Sequence, residues 1–161
     1  TAPFYNDRII AHEMTHAIMA TGTNWGAYRS SVWFVEGTAE FIHGADERVL
    51  GDSFGDNGAA IQAIAAGFAA APGSWGGTST DYSAGYLAVR YLYQMVGDTT
   101  FKAIMNHLQT AGTGTETLST ALAANTGWAN ETAFLNSYAN AIGTTAADFS
   151  SFLTTFGVDL S

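Results

Sequence analysis

Apolar residues along the chain recur mostly at intervals of three and four, which is the spacing of one face of an α-helix. Alternation of apolar and polar positions, the mark of a half-buried strand, is scarce, so the pattern predicts no strand. The predicted fold class is therefore mainly α, a multi-helix domain with little or no sheet. With 161 residues, the chain is expected to form a single domain, 1–161.

Residues that cap helices or break them divide the chain into predicted helical segments. Asn6 or Asp7 is expected to cap a first helix that ends near residue 20, and Ser30 and Ser31 precede a second over about 32–50. Residues 25–28 between them are expected to form an irregular turn or a short extended piece. The later segments, with their capping residues, are a helix ending at 70 (Asn57), 81–97 (Asp81), 98 to about 112 (Asp98), 118–124 (Thr113 and Glu116), 130–143 (Asn130) and 149–156 (Thr145 and Asp148).

Composition narrows the possible partners. Fourteen acidic residues against five basic ones give a net charge of −9, and Lys102 is the single lysine. So few cations cannot neutralise a phosphate backbone, so no nucleic-acid partner is expected. The same balance disfavours an anionic membrane surface, and no stretch approaches the roughly 20 apolar residues of a membrane helix. The 47 % apolar content is ample for a core.

The chain has no cysteine, which excludes a disulfide framework, a thiolate zinc site and a cysteine nucleophile. A composition that is acidic, poor in lysine and rich in Thr, Gly and Asn is typical of secreted or surface proteins of bacteria. The expected location is therefore extracellular or at the bacterial cell surface. Because the first residue is Thr1, a processed protein or a fragment of a longer chain is expected.

The segment His12-Glu13-Met14-Thr15-His16 has the pattern H-E-x-x-H within the first predicted helix. Residues four apart lie about 40° apart in azimuth and roughly 6 Å apart along the axis, so both imidazoles face the same way. Two nitrogen ligands of a tetrahedral zinc ion need this arrangement. Glu13 lies beside that face, where its carboxylate can reach an attacking water. The alternative is a helix with two polar-tipped residues on one face.

A third ligand has to come from elsewhere, because the positions three and six residues after His16 are Met19 and Gly22 rather than glycine and histidine. Glu36 follows His16 by 20 residues, enough chain for a turn and an antiparallel second helix. A carboxylate within such an apolar segment is costly to bury unless it is paired, and a metal would pair it. Gly37 is expected to let these two helices pack closely around an ion. Glu40, one turn on, can accept a hydrogen bond from a ligand histidine, or it is a solvated surface acid.

These residues carry a family resemblance. H-E-x-x-H followed by Trp33-Phe34-Val35-Glu36-Gly37-Thr38-Ala39-Glu40 resembles the gluzincin zinc metallopeptidases, which include thermolysin-like endopeptidases and aminopeptidase N-like enzymes. The resemblance implies that His12, His16 and Glu36 bind Zn²⁺, that Glu13 is the general base and that Glu40 supports a ligand. The longer strings 4–11 and 41–49 resemble the metallopeptidase domains inserted in some bacterial flagellins, the flagellinolysins. The implied partner is a protein or peptide substrate, flagellin-like in the narrower case.

The segment Asp81-Tyr82-Ser83-Ala84-Gly85-Tyr86 resembles the Y-x-x-G element of aminopeptidase-like gluzincins. The resemblance implies that Tyr82 stabilises the oxyanion of the reaction, the alternative being a core aromatic residue. Tyr86 shares its helical face and is better explained as a core residue. His43 lies seven residues after Glu36, on the same face but roughly 10 Å along the axis. It is expected to be too far to bind the metal, and to be either a proton donor in the cleft or a polar surface residue.

The chain also departs from the family pattern. Gluzincins place a β-sheet before the motif, whereas only 11 residues precede His12 here. The acidic anchor of aminopeptidases is missing for the same reason, so an endopeptidase or a truncated enzyme is expected. Two alternatives remain: a surface or filament domain that holds zinc without turnover, and an iron site built from the same ligands. The loop of Asp52 and Asp56 lacks the ligand spacing of a calcium loop, and capping explains Asp56.

Overall fold

The computed structural model describes residues 4–110 and 117–161, and these form helices joined by turns and loops, with no strand. The mainly α prediction is confirmed. The helices within these ranges are α1 (Phe4–Gly22), α2 (Trp25–Tyr28), α3 (Val32–His43), α4 (Asp46–Ser53), α5 (Ala59–Ala70), α6 (Ser79–Thr110), α7 (Leu118–Asn125), α8 (Glu131–Ile142) and α9 (Ala146–Thr155). None of them is long and apolar enough to cross a membrane.

The last two helices have the ends that their capping residues predict. Asn130 precedes α8, and its side chain accepts a hydrogen bond from the Ala133 amide at 2.8 Å. Thr145 and Asp148 form a capping box at α9, in which each side chain accepts from the other residue's amide, at 3.1 and 3.0 Å. Such reciprocal bonds satisfy two amides that a helix start leaves unpaired.

Several predicted helix starts are wrong. Helix α1 begins at Phe4, so Asn6 and Asp7 lie within it. Asp81 lies inside α6 and folds the preceding glycine-rich loop inward by accepting from the Gly76 and Thr78 amides at 3.2 and 2.9 Å. At α5, it is Asp56 rather than Asn57 that accepts backbone amides, from Gly58 and Ala60. Thr113 and Glu116 lie outside the described residues, and the capping box before α7 pairs Thr117 with Thr120.

Glycines and local turns account for the remaining differences. The predicted helix 32–50 is two helices, because Gly44, with φ 79°, ends α3 in a conformation that favours glycine. The predicted break between 81–97 and 98–112 is a kink at Gly97, with φ 81° and ψ 169°, inside α6. Asp98 there pairs with Lys102 at 2.7 Å. Residues 25–28 form one helical turn rather than an extended piece.

Helix α6 lies at the centre of the fold, with α3, α4, α5, α7 and α8 packed against it. The core is aromatic, with Trp33 stacked on Phe134 at 5.3 Å between ring centroids and Tyr138 fully buried. The hydroxyl of Tyr138 donates to the carbonyl of Ala84 in α6 at 2.8 Å, so this buried polar group has a partner. These contacts fix α3 and the first half of α6 against each other.

The crossing of α3 and α6 is closest at two glycines. A Cβ atom built on Gly37 would lie 2.2 Å from the carbonyl oxygen of Gly85, which is less than any real contact allows. Gly37 therefore serves the approach of α3 to α6 rather than the predicted approach of α3 to α1. The two glycines place Glu36 and Tyr82, their neighbours in sequence, beside the same crossing.

Replacing Gly37 with alanine should destabilise the fold. The added methyl group meets backbone, which cannot rotate away, and overpacking of this kind typically costs roughly 1–3 kcal/mol. The free energy of unfolding should fall by about that amount in urea titrations. The matched control is Gly67→Ala in α5, where a Cβ atom would meet nothing within 4 Å. That variant should gain up to about 1 kcal/mol from helix propensity. Equal stability of the two variants would contradict the close crossing.

Candidate functional site

Helices α1 and α3 run antiparallel, and their polar residues meet in order along the contact. His16 faces Glu36, His12 faces both Glu36 and Glu40, and at the far end Arg8 forms an ion pair with Glu47 of α4. The four-residue spacing on each helix repeats every turn, so successive pairs come into register. The predicted pairing of the H-E-x-x-H helix with a glutamate-bearing helix is therefore present.

Three side-chain atoms converge at the centre of this contact. The Nε2 atoms of His12 and His16 lie 3.0 Å apart, and Oε2 of Glu36 lies 3.1 Å from the first and 3.2 Å from the second. All three side chains are mostly buried, between 13 and 19 % exposed. Three electron-rich atoms this close repel one another unless a proton or a metal ion lies among them.

The donor set fits a zinc ion. Bond lengths of about 2.0–2.2 Å in a tetrahedral site imply donor atoms roughly 3.3 Å apart, and the three separations lie within a few tenths of an ångström of that value. Two imidazoles and one carboxylate are also a ligand set that leaves a coordination position free in catalytic zinc sites. His12, His16 and Glu36 are therefore one group of residues that could hold a metal ion.

Without a metal, protons hold the cluster together. Hydrogen bonds to Glu36 and Glu40 raise the pKa of His12 to about 9, against the opposing effect of burial. Burial raises the pKa of Glu36, but hydrogen bonds with His12 and His16 outweigh it and lower the pKa to about 2. At neutral pH the metal-free site therefore contains a His12 imidazolium whose two N–H groups donate to two carboxylates.

Glu40 lies behind His12, on the side away from Glu36. Its carboxylate is 2 % exposed, and Oε1 lies 3.0 Å from Nδ1 of His12. Burial raises its pKa, but hydrogen bonds with His12 and His43 and the charge of Arg48 hold the pKa well below its usual range. The position agrees with a residue that orients a ligand histidine, and it excludes a solvated surface acid.

An open cleft of about 480 Å³ adjoins the cluster. Glu13 is exposed on the cleft side of α1, immediately beside His12. Helix α4 forms the opposite wall with Arg48 and Asp52, and Tyr82 lies at the start of α6. The cleft therefore brings an exposed carboxylate and a phenol to the His12 side of the three-residue cluster.

Tyr82 is half-buried, and its ring centroid lies 6.0 Å from that of His12. The ring packs edge-on against Trp75 at 5.1 Å, and Arg48 lies over it at 5.3 Å. Burial and the nearby charge of Glu36 raise the pKa of Tyr82, so its hydroxyl keeps its proton at neutral pH. Tyr86, by contrast, is in the core, where its hydroxyl donates to Asp46 at 2.5 Å.

His43 lies closer to the cluster than its distance along α3 predicts. Its Nε2 atom is 3.3 Å from Oε1 of Glu40, and its ring centroid is 6.1 Å from that of His12. Its Nδ1 atom lies 3.1 Å from the carbonyl oxygen of Gly44. Both ring nitrogens therefore face acceptors within the protein, and the side chain lines the cleft beside Glu40.

The structure adds two residues that the motif does not indicate. Arg48 donates from Nε to Oε2 of Glu40 at 2.8 Å, and Trp25 packs edge-on against His16 at 6.1 Å between ring centroids. Among the residues that the structure describes, none hydrogen-bonds to the buried Nδ1 of His16 and none places a carboxylate behind this second histidine. The chain has only five basic residues. The sequence feature that could have indicated this contact is therefore that one of them, Arg48, follows Glu40 by eight positions.

Comparison of this chain with protein-family models, with curated proteins and with solved structures finds no match.

The metal-free protein should be sensitive to pH through His12 and Glu36. The pKa of His12 is raised from 6.5 to about 9, so its contribution to the free energy of unfolding is full below pH 6.5 and is lost as the pH rises through 9. The pKa of Glu36 is lowered from 4.5 to about 2, so its contribution to the free energy of unfolding is full above pH 4.5 and is lost as the pH falls through 2.

Thermal unfolding of chelator-treated protein should therefore show the largest contribution of this pair between pH 4.5 and 6.5. A His12→Asn variant should lose the decline between pH 6.5 and 9, because it has no imidazole to titrate. If the variant and the wild type decline in parallel over that range, the pairing of His12 with the two glutamates is wrong.

Proposed function

We propose that this chain is a zinc-dependent endopeptidase that hydrolyses peptide bonds of protein substrates. The observation that carries the proposal is the convergence of His12 Nε2, His16 Nε2 and Glu36 Oε2 within 3.0–3.2 Å of one another. Glu13 and Tyr82 lie on the adjoining cleft, where an acid–base group and an oxyanion donor are needed. The motif resemblance to gluzincins supports the same assignment.

Zinc held by His12, His16 and Glu36 would act as a Lewis acid, lowering the pKa of water towards about 7 and polarising the scissile carbonyl. Glu13 takes a proton from the attacking water as the water oxygen adds to the carbonyl carbon. The carbon–nitrogen bond then breaks, and Glu13 passes the proton to the leaving amine. The Tyr82 hydroxyl, which keeps its proton at neutral pH, donates a hydrogen bond to the developing oxyanion.

The charges of the cleft disfavour a substrate's C-terminal carboxylate. The two arginines of the cleft wall are both engaged, Arg8 with Glu47 and Arg48 with Glu40. A substrate's terminal carboxylate would have to displace one of these glutamates, which disfavours a carboxypeptidase. The resemblance to flagellin-inserted domains makes flagellin a first protein to test, and the composition suits a protein that works outside the cell.

The first test is metal content and cleavage. Purified protein should contain one zinc per chain and should degrade an unfolded protein or flagellin, with loss of cleavage on addition of chelator. Anomalous scattering at the zinc edge distinguishes zinc from iron at the same ligands. Absence of stoichiometric metal, or undiminished cleavage with chelator, would exclude the proposal.

Glu13→Gln tests the general base. The variant should keep its zinc, because Glu13 is not among the three converging ligands, and should lose cleavage by at least about 100-fold. The matched control is Glu47→Gln, which alters another exposed glutamate of the same cleft and should retain activity. Zinc binding without cleavage in the wild type itself would favour the alternative function, a zinc-holding surface or filament domain.

Tyr82→Phe tests the oxyanion donor. Removing one such donor typically lowers kcat by about 100- to 1,000-fold. The loss should fall on kcat rather than on KM, because the hydrogen bond strengthens only in the transition state. Zinc content should stay at the wild-type value. An unchanged kcat would assign Tyr82 to the packing of Trp75 alone.

A further inference from the structure

His12 stands between two sets of possible metal ligands. Its Nε2 atom belongs to the set with His16 and Glu36, and its Nδ1 atom lies 3.0 Å from Oε1 of Glu40. His43 adds a third donor to the second set, with Nε2 3.3 Å from the same oxygen. His12, Glu40 and His43 are thus a second group close enough to hold a metal ion, and the fold has to determine which group does so.

Arg48 occupies the free side of the second group. Its Nε atom donates to Oε2 of Glu40 at 2.8 Å, so the glutamate that would bind an ion already faces a permanent cation. A divalent ion at Oε1 would lie within a few ångströms of that guanidinium, where like charges repel strongly in a mostly buried site. The Glu40 carboxylate, paired with Arg48, remains an acceptor for the Nδ1–H of His12.

Arg48 is held in this position from other directions as well. Its Nη1 atom donates to the hydroxyl of Ser79 at 3.1 Å, and that hydroxyl donates to Asp52 at 3.0 Å. The guanidinium also lies over the ring of Tyr82 at 5.3 Å. One side chain thus bridges α4, α3 and the start of α6.

We propose that Arg48 is a positioning residue that commits His12 to bind metal through Nε2 and limits the site to one ion by blocking the group of His12, Glu40 and His43. The inference rests on the proposed function, since it takes His12, His16 and Glu36 as the site that is filled. It assigns to Arg48 a role beyond neutralising a buried acid.

The test is the number of zinc ions bound per chain. Metal-free protein is equilibrated with Zn²⁺, and bound zinc is measured by mass spectrometry of the native protein. The wild type should bind one ion and Arg48→Gln should bind two. Arg48→Lys, which keeps the cation, should bind one. Arg8→Gln, the matched control, removes an arginine from the same cleft without touching Glu40 and should also bind one.

A double variant locates the second ion. Adding His43→Asn to Arg48→Gln removes a ligand that belongs only to the second group, so the count should return to one. Nitrogen NMR of the imidazoles gives an independent signature, because the Nδ1 proton of His12 should be present in the zinc-loaded wild type and lost in Arg48→Gln. Circular dichroism establishes that each variant is folded, and Arg48→Met replaces the glutamine variant if that one is not.

The outcomes separate this inference from the function on which it rests. A wild type that binds no zinc overturns both. A wild type with one ion and an Arg48→Gln variant with one ion leave the metal site in place and overturn the role of Arg48. Two ions in the double variant would place the second ion elsewhere and would also overturn it.

Discussion

The close crossing of α3 and α6 at Gly37 and Gly85 is the constraint on which the site depends. A side chain at Gly37 would overlap the backbone of Gly85, so the helices can approach this closely only because both residues lack one. Glu36 immediately precedes the first glycine, and Tyr82 lies one turn before the second. The relative position of Glu36 and Tyr82 is therefore set by backbone packing, which yields far less than side-chain packing does. Helix α1 packs on α3 and adds the two histidines and Glu13.

Charged residues are few in this chain, and half of its glutamates lie near His12 and His16. Charged residues are 12 % of the sequence, and three of its six glutamates lie within one turn of the two histidines or contact them. Burying a carboxylate without a partner carries a large free-energy penalty. The Glu40 carboxylate is paired with three side chains, those of His12, His43 and Arg48. Three of the 14 acidic residues are therefore accounted for by the site, and the other 11 leave the protein acidic.

The sequence predicts this site unevenly, and the differences have physical causes. That His12 and His16 share a face, and that Glu36, Glu40 and His43 share another, follows from the helical period, because residues three or four apart share a face whatever surrounds them. The contribution of Arg48 could not be predicted in that way. It depends on the sharp end of α3 at Gly44, which turns α4 back so that Arg48 reaches Glu40. Asp81 differs from its prediction in a similar way. The local sequence predicts a helix cap, but Asp81 lies inside α6 and accepts hydrogen bonds from two amides of the loop before that helix.

The two histidines are supported in different ways, and this asymmetry has a consequence for how the site is ordered. His12 has a carboxylate at each nitrogen, so its ring is fixed by directional hydrogen bonds that strengthen as it is buried. His16 has Glu36 at Nε2, its Nδ1 meets no acceptor in the described part of the chain, and its ring packs edge-on against Trp25. Packing restricts the position of a ring but does not select which nitrogen carries the proton. Hydrogen bonding to Glu40, which Arg48 holds in place, therefore orients the His12 ring, and the geometry of the three converging atoms depends on Arg48, which is not one of them.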